Sequence, residues 1–350
     1  MKSHDSFLAY LKWPIIVTAI GLVLSGWLGW KSDQTIATAL SFLLIGAVLA
    51  ALEIALSFDN AIVNANKLVE MTPIWRQRFL TWGILIAVFG MRIVFPILIV
   101  SCFAWINPFA AVHLAVTDPD KYSHIIHDSH GSIAAFGGTF LLMVALKFFI
   151  DEEKTIDWFG GLERVFKKCS ALRGIEIAVV LILITMLAQW VDDTMQSSFL
   201  FSAILGLITF LLVDSLGTFL DQASQPANRQ MATGGLGAFL YLEVLDASFS
   251  FDGVIGAFAL TTNIMLIAIG LGIGAMYVRA LTIMIVETGT LQQYRYIEHG
   301  AFYSIFVLAV IMFLQTITSV PELITGLMSA TIIGFALYSS IRHNKREQSP

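Results

Sequence analysis

Charge is the scarcest ingredient of this 350-residue chain: only 13% of its residues are Asp, Glu, Lys or Arg, about half the share of an average soluble domain. A globule with so few charges cannot solvate its exterior, which excludes a cytosolic enzyme and a nucleic-acid binder. Cysteine is nearly absent too. Cys102 and Cys169 are too few for a disulfide framework, and no disulfide is expected. No G-x-x-x-x-G-K-[ST] sequence occurs, so the chain carries no phosphate-binding loop of its own to drive a pump. Gly270-Leu271-Gly272-Ile273-Gly274 looks like part of a dinucleotide fingerprint, but inside an apolar run it reads as close helix packing.

What is abundant is apolar sequence. Hydrophobic residues make up 57% of the chain and the mean hydropathy is +0.80. The runs are continuous over about 20 residues, the helical signature, rather than alternating over about 10 as in a barrel. The expected fold is an all-α, polytopic transmembrane helical bundle. Ten spans are placed near residues 13–30, 36–62, 79–104, 131–150, 174–190, 199–220, 235–259, 263–286, 300–319 and 321–341. The first follows Lys2 and Lys12 but lacks a small-residue cleavage pattern, so it is read as retained. Basic residues cluster on one set of connections, among them Lys67, Arg76, Arg78, Lys154, Arg164, Arg173, Arg229 and Arg342, and only Lys31 and Lys121 fall on the other. The positive-inside rule then predicts a cell (inner) membrane protein with both termini cytoplasmic.

Two segments resemble one another: Glu53-Ile-Ala-Leu-Ser57-Phe58-Asp59-Asn60 and Asp246-Ala-Ser-Phe-Ser250-Phe251-Asp252-Gly253. Each is followed downstream by a span with one arginine, Arg92 or Arg279. Five spans separate the copies, an odd offset, so they cross in opposite senses. This predicts an inverted-topology repeat of two halves, 1–190 and 191–350, with the site at the midplane where interrupted helices meet. A carboxylate at the centre of a span costs around 2.5 to 3.5 kcal/mol on insertion scales, yet Glu53, Asp59, Asp214, Glu243, Asp246 and Asp252 all fall within spans. Arg92 and Arg279 can neutralise two of these six, and protons or bound cations must cover the rest. Helical spacing puts Glu53, Ser57 and Asn60 on one stripe, and Glu243, Asp246, Ser250 and Gly253 on another. Asp59 and Asp252 point elsewhere unless the helices unwind at Ser-Phe-Asp; the alternative is that they pair with Arg92 and Arg279 as locks. Asn60 and Gly253 tolerate irregular backbone, which favours unwinding. Asp214 reads equally as a satisfied interhelical hydrogen bond or as part of a pathway.

LEIALSFDNAIVNA, with the later SFSFDGVIGAFALT, YVRAL and EHGAFYSIFVLAVIMF, resembles the TerC family of integral membrane proteins, and more closely a bacterial branch described only as conserved and of unknown function. The likeness runs from about residue 40 to 340. It implies a fold near the lysine-exporter type of transporter and, by analogy with members that export manganese, a metal site at Glu53, Asp59, Asn60, Asp246 and Asp252. This chain departs in carrying Gly253 where a serine commonly follows the second aspartate, and in a long outer insertion between spans three and four.

Carboxylates, an amide and hydroxyls suit a hard cation such as Mg²⁺, Ca²⁺ or Mn²⁺. The expectation is a transporter rather than an enzyme. It would export a divalent cation, Mn²⁺ foremost, in exchange for protons, with Glu243 helping as ligand or proton carrier, Ser57 and Ser250 in support, and no permanently bound cofactor. The outer insertion holds His113, His124, His127 and His130, either a solvated loop or a transition-metal site. Two other classes are weighed: a membrane component of a tellurium or envelope stress complex, and an intramembrane aspartyl protease, for which no G-x-G-D sequence is found.

Overall fold

A computed structural model describes residues 3–83, 86–103, 106–151, 154, 156–169, 174–223, 235–318 and 320–347. Every regular element among them is a helix. They are α1 (Ser3–Asp33), α2 (Ile36–Leu56), α3 (Phe58–Glu70), α4 (Pro73–Arg78), two π-wound segments (Phe79–Gly83 and Ile86–Val94), α5 (Phe95–Phe103), α6 (Pro108–Thr117), α7 (Pro119–Ile150), α8 (Leu162–Cys169), α9 (Ile175–Leu187), α10 (Asp193–Ala223), α11 (Leu236–Leu260), α12 (Ile264–Thr288), α13 (Thr290–Gln293), α14 (Ile297–Gln315) and α15 (Glu322–Glu347).

Local chemistry sets the ends. Thr35 caps α2 by accepting from the Thr38 amide, and Asn263 caps α12 through the Leu266 amide. Asn107 and Asp118 cap α6 and α7, each with proline at the next position, where its missing N–H is harmless. Gly289, at φ 65°, ends α12 in the left-handed region that glycine adopts without a Cβ penalty.

Among the described residues, the ten expected spans fall largely on helix. Seven helices are long and apolar enough to cross a membrane; α9 is apolar but has only 13 residues, and α11 carries three acids. α7 is the central post, with 78% of its most apolar window buried, and packs against α10, α14 and α11. α1, with 17% buried, lies at the periphery and turns Trp13, Val23 and Trp27 outward. So many exposed large apolar side chains, Phe201, Leu212 and Phe335 among them, fit a lipid boundary and no aqueous one. The chain is thus a polytopic helical bundle of membrane type.

Three expectations change in detail. The single span expected over 36–62 breaks at Ser57, whose φ of −106° and ψ of 15° separate α2 from α3. The second motif does not unwind: α11 runs unbroken through Ser250 to Gly253. Gly253 serves there by its lack of a side chain, because a Cβ would lie 2.8 Å from Glu53 Oε2. The outer insertion is helical, forming α6 and the first turns of α7, with His113, His124 and His127 exposed. The side chains of Cys102 and Cys169 lie outside the described residues, as do Arg173 and Arg229.

Candidate functional site

Where α3 meets α11 and α12, polar side chains are buried around a small cavity of about 40 Å³. Its wall includes Asn60 and Asn64 of α3, Arg92 of the second π-wound segment, Glu243 and Asp246 of α11, and Arg279 and Thr282 of α12. Asn60 and Asn64, four apart, share one face of α3. Asn60 Nδ2 donates to Asp246 Oδ1 in a short contact, and because a carboxylate can only accept, that bond fixes which end of the amide faces away. Asn60 Oδ1, Asn64 Oδ1 and Glu243 Oε1 are all buried with no hydrogen-bond donor among the described residues. Arg279 Nε, in the same wall, is buried without an acceptor, so unpaired acceptors and an unpaired donor stand around one cavity.

Glu53 sits beside the cavity rather than in its wall. Arg92 Nη2 donates to its Oε1 in a tight ion pair, and Ser57 Oγ donates to the same oxygen at 3.3 Å. Both partners are almost wholly buried. Its aliphatic stem lies against Gly274, where a Cβ would overlap the Glu53 Cγ, and Gly253 makes room for its head. Arg92 therefore pairs with Glu53, and the alternative of an Asp59–Arg92 lock does not form.

Asp59 turns away from the cavity even though the helix breaks before it. Its Oδ2 accepts from Ser304 of α14 at 2.9 Å and Ser329 of α15 at 3.1 Å, while Oδ1 accepts from the Asn60 amide at 2.9 Å. The structure brings Asn60, Glu243, Asp246, Ser57, Arg92 and Arg279 to one cavity and turns Asp59 toward α14 and α15 instead. Ser250 is buried, with no partner for its hydroxyl among the described residues. The side chain of Asp252 lies outside the described residues. Among the described residues, no three His, Cys, Asp or Glu side chains are grouped as a metal centre. A cation in the cavity would be held by two carboxylates and the amide oxygens.

A larger space of about 460 Å³ opens along the other end of α3, with Asn66, Lys67, Glu70, Lys147, Asp214 and Glu298 in its wall. Asn66 Nδ2 donates to Glu298 at 2.7 Å and Lys67 pairs with Glu70 at 2.6 Å. Asp214 is bound by Lys147 and is partly exposed, so it belongs to this vestibule rather than to a dry midplane. The connection after α7 forms one side of the vestibule through Asp151, Lys154 and Ile156. It is anchored by Glu163, which is 1% exposed and receives Lys154, the amides of Trp158 and Phe159 at 3.1 and 2.9 Å, and the Tyr303 hydroxyl at 3.0 Å. Burial pushes the Glu163 carboxyl up, but the Lys154 and Phe159 hydrogen bonds and the nearby positive charge outweigh it and hold the group below its usual range.

Sequence reasoning missed Asn64, Asn66, Thr282, Ser304 and Ser329. The amides could have been found, since three asparagines in Asn60-Ala-Ile-Val-Asn64-Ala-Asn66 are unusual beside an apolar span. The serines could not, because isolated serines are ordinary in such helices.

Fold and polar cavity together define a polytopic helical membrane protein with a small polar site between its helices. Residues 58–347 match the model of a family described as "Protein of unknown function (DUF475)", and the chain belongs to that family. No curated protein and no solved structure matches it.

Proposed function

We propose that this protein is a secondary transporter that exports a divalent metal cation, with Mn²⁺ as the cargo, in exchange for protons carried on intramembrane carboxylates. The observation that carries the reading is a group of unpaired oxygens: Asn60 Oδ1, Asn64 Oδ1 and Glu243 Oε1 are buried without a hydrogen-bond partner among the described residues, on residues that line one small cavity. Leaving buried acceptors unpaired costs about 1–3 kcal/mol each, and a hard cation with oxygen ligands relieves all of them together. The resemblance to TerC proteins, some of which export manganese, supports the same cargo. The reading is of a carrier and not an enzyme, set in the inner membrane with both termini in the cytoplasm.

The two motifs support an inverted repeat by a reciprocal contact. The first residue of the first motif, Glu53, lies against the eighth of the second, Gly253, and the first of the second, Asp246, bonds the eighth of the first, Asn60. Exchange of contacts between equivalent positions is what a two-fold relation produces. Halves at 1–190 and 191–350 would then rock about this shared centre, and the vestibule beside Glu70 and Glu298 would admit the ion from the cytoplasm.

The test is Mn²⁺ uptake into inverted vesicles from cells expressing wild type, Asp246→Asn or Glu243→Gln. Uptake by the wild type that is lost in both variants is the expected result; equal uptake in all three would sink this site, and no uptake by the wild type would sink the cargo. Cells lacking the protein should accumulate Mn²⁺, whereas a stress-complex scaffold would leave metal content unchanged.

A further inference from the structure

Two guanidiniums share the wall of the small cavity, and their circumstances differ. Arg92 is committed to Glu53 in a buried ion pair. Arg279 of α12 is partly buried, forms no ion pair among the described residues, and has no acceptor for its Nε. Across the same cavity stand Asp246, bonded to Asn60 through one oxygen, and Glu243, whose Oε1 has no donor. An unpaired guanidinium and an unpaired carboxylate in the wall of one small, partly buried cavity attract, because protein around them screens charge less than bulk water does. Arginine has a long flexible stem, and the gap between the two sides is the cavity itself.

We infer that Arg279 is a tethered counter-cation: it swings onto Glu243 and Asp246 when the site holds no ion, and the arriving cation displaces it. This rests on the reading of the cavity as a cation site and adds to it a second counter-charge, fixed to the protein and acting beside the protons, for the carboxylates of the empty carrier. Two carboxylate charges without a counter-ion would oppose movement of the empty site through a low-dielectric barrier. With Arg279 in place the empty carrier returns without metal, so net export is possible as well as exchange. The guanidinium also sets affinity, since a cation must compete with it, and the apparent Kd is raised by the fraction of carriers whose site Arg279 fills.

The experiment uses the purified full chain in proteoliposomes. Mn²⁺ binding is read by titration calorimetry, and Mn²⁺ efflux is followed into metal-free medium and into medium containing Mn²⁺. Arg279→Met keeps the length of the stem and removes the charge. It is expected to bind Mn²⁺ about tenfold tighter, to lose net efflux, and to keep Mn²⁺–Mn²⁺ exchange. Arg279→Lys keeps a cation with a shorter reach, and should bind severalfold tighter while keeping net efflux. Unchanged affinity, or loss of net efflux and exchange in equal measure, overturns the inference in whichever variant folds. Wild-type protein that neither binds nor moves Mn²⁺ overturns the transport reading instead, so the two failures are told apart.

Discussion

At the scale of the residue, the buried charges divide into one that is locked and others that are available. Glu53 and Arg92 satisfy each other, and Ser57 adds a donor to the same carboxylate oxygen. Removing one partner of such a pair strands the other and typically costs about 3–5 kcal/mol, while replacing both with apolar groups can be nearly neutral. Arg92→Met is therefore expected to lower the melting temperature in detergent sharply, and Glu53→Met combined with Arg92→Met should recover most of the loss. A double variant no more stable than Arg92→Met alone would show that the pair is not the lock. At Asp59 the hydroxyls of Ser304 and Ser329 converge on one oxygen and tie α3 to α14 and α15. Ser304→Ala with Ser329→Ala leaves that buried oxygen without a side-chain donor, a loss of about 1–3 kcal/mol. Thermal unfolding of the double variant reads it.

At the scale of the element, close approaches and anchors decide where side chains can sit. Glu53 occupies a slot between α11 and α12 that exists because Gly253 and Gly274 have no side chains. Gly274→Ala puts a methyl group into the Glu53 stem and is expected to destabilise by about 1–3 kcal/mol through overpacking. A Gly274→Ala variant as stable as wild type would mean that Glu53 has another place to go. The connection after α7 depends on Glu163 in a comparable way. Its folded-state pKa is depressed, so its contribution to stability is fully present above the unfolded value of about 4.3 and is lost as pH falls through the lower folded value. Glu163→Gln should lower the melting temperature at pH 7 and flatten the decline that the wild type shows below about pH 5. Parallel declines in the two proteins would remove Glu163 as the acid-sensitive anchor. The break at Ser57 belongs to this scale too. The motif invited unwinding in both copies, yet only the first breaks, because glycine in the second supplies room for Glu53 rather than a turn.

At the scale of the whole molecule, the basic residues and the vestibule make a joint prediction about sidedness. The positive-inside rule puts the connection holding Lys154 and Arg164 in the cytoplasm and the helical insertion holding Lys121 outside. Single cysteines at positions 121 and 164, in a chain from which Cys102 and Cys169 have been removed, should react with an impermeant maleimide from opposite sides in intact cells and inverted vesicles. Labelling of both positions from one side would overturn the orientation and, with it, the direction in which the vestibule opens. The exposed apolar side chains of α1, α2, α10 and α15 fit a boundary of lipid tails.

Hydropathy is a local property, so the sequence by itself determined that the chain is a helical membrane bundle, where its ten apolar segments lie, and that polar groups are buried in two related motifs. It also singled out Asn60, Glu243, Asp246 and both arginines, since buried charge is conspicuous in a chain with so little of it. Only the tertiary structure decided how those groups are shared out. Arg92 went to Glu53 and not to Asp59, Asp59 went to two serines that carry no sequence signal, and Asp214 went to Lys147 at a vestibule. The reason is that partner choice depends on the register of one helix against another. An offset of a single residue turns a side chain by about 100° and sends it to a different neighbour, and no window of sequence contains that offset.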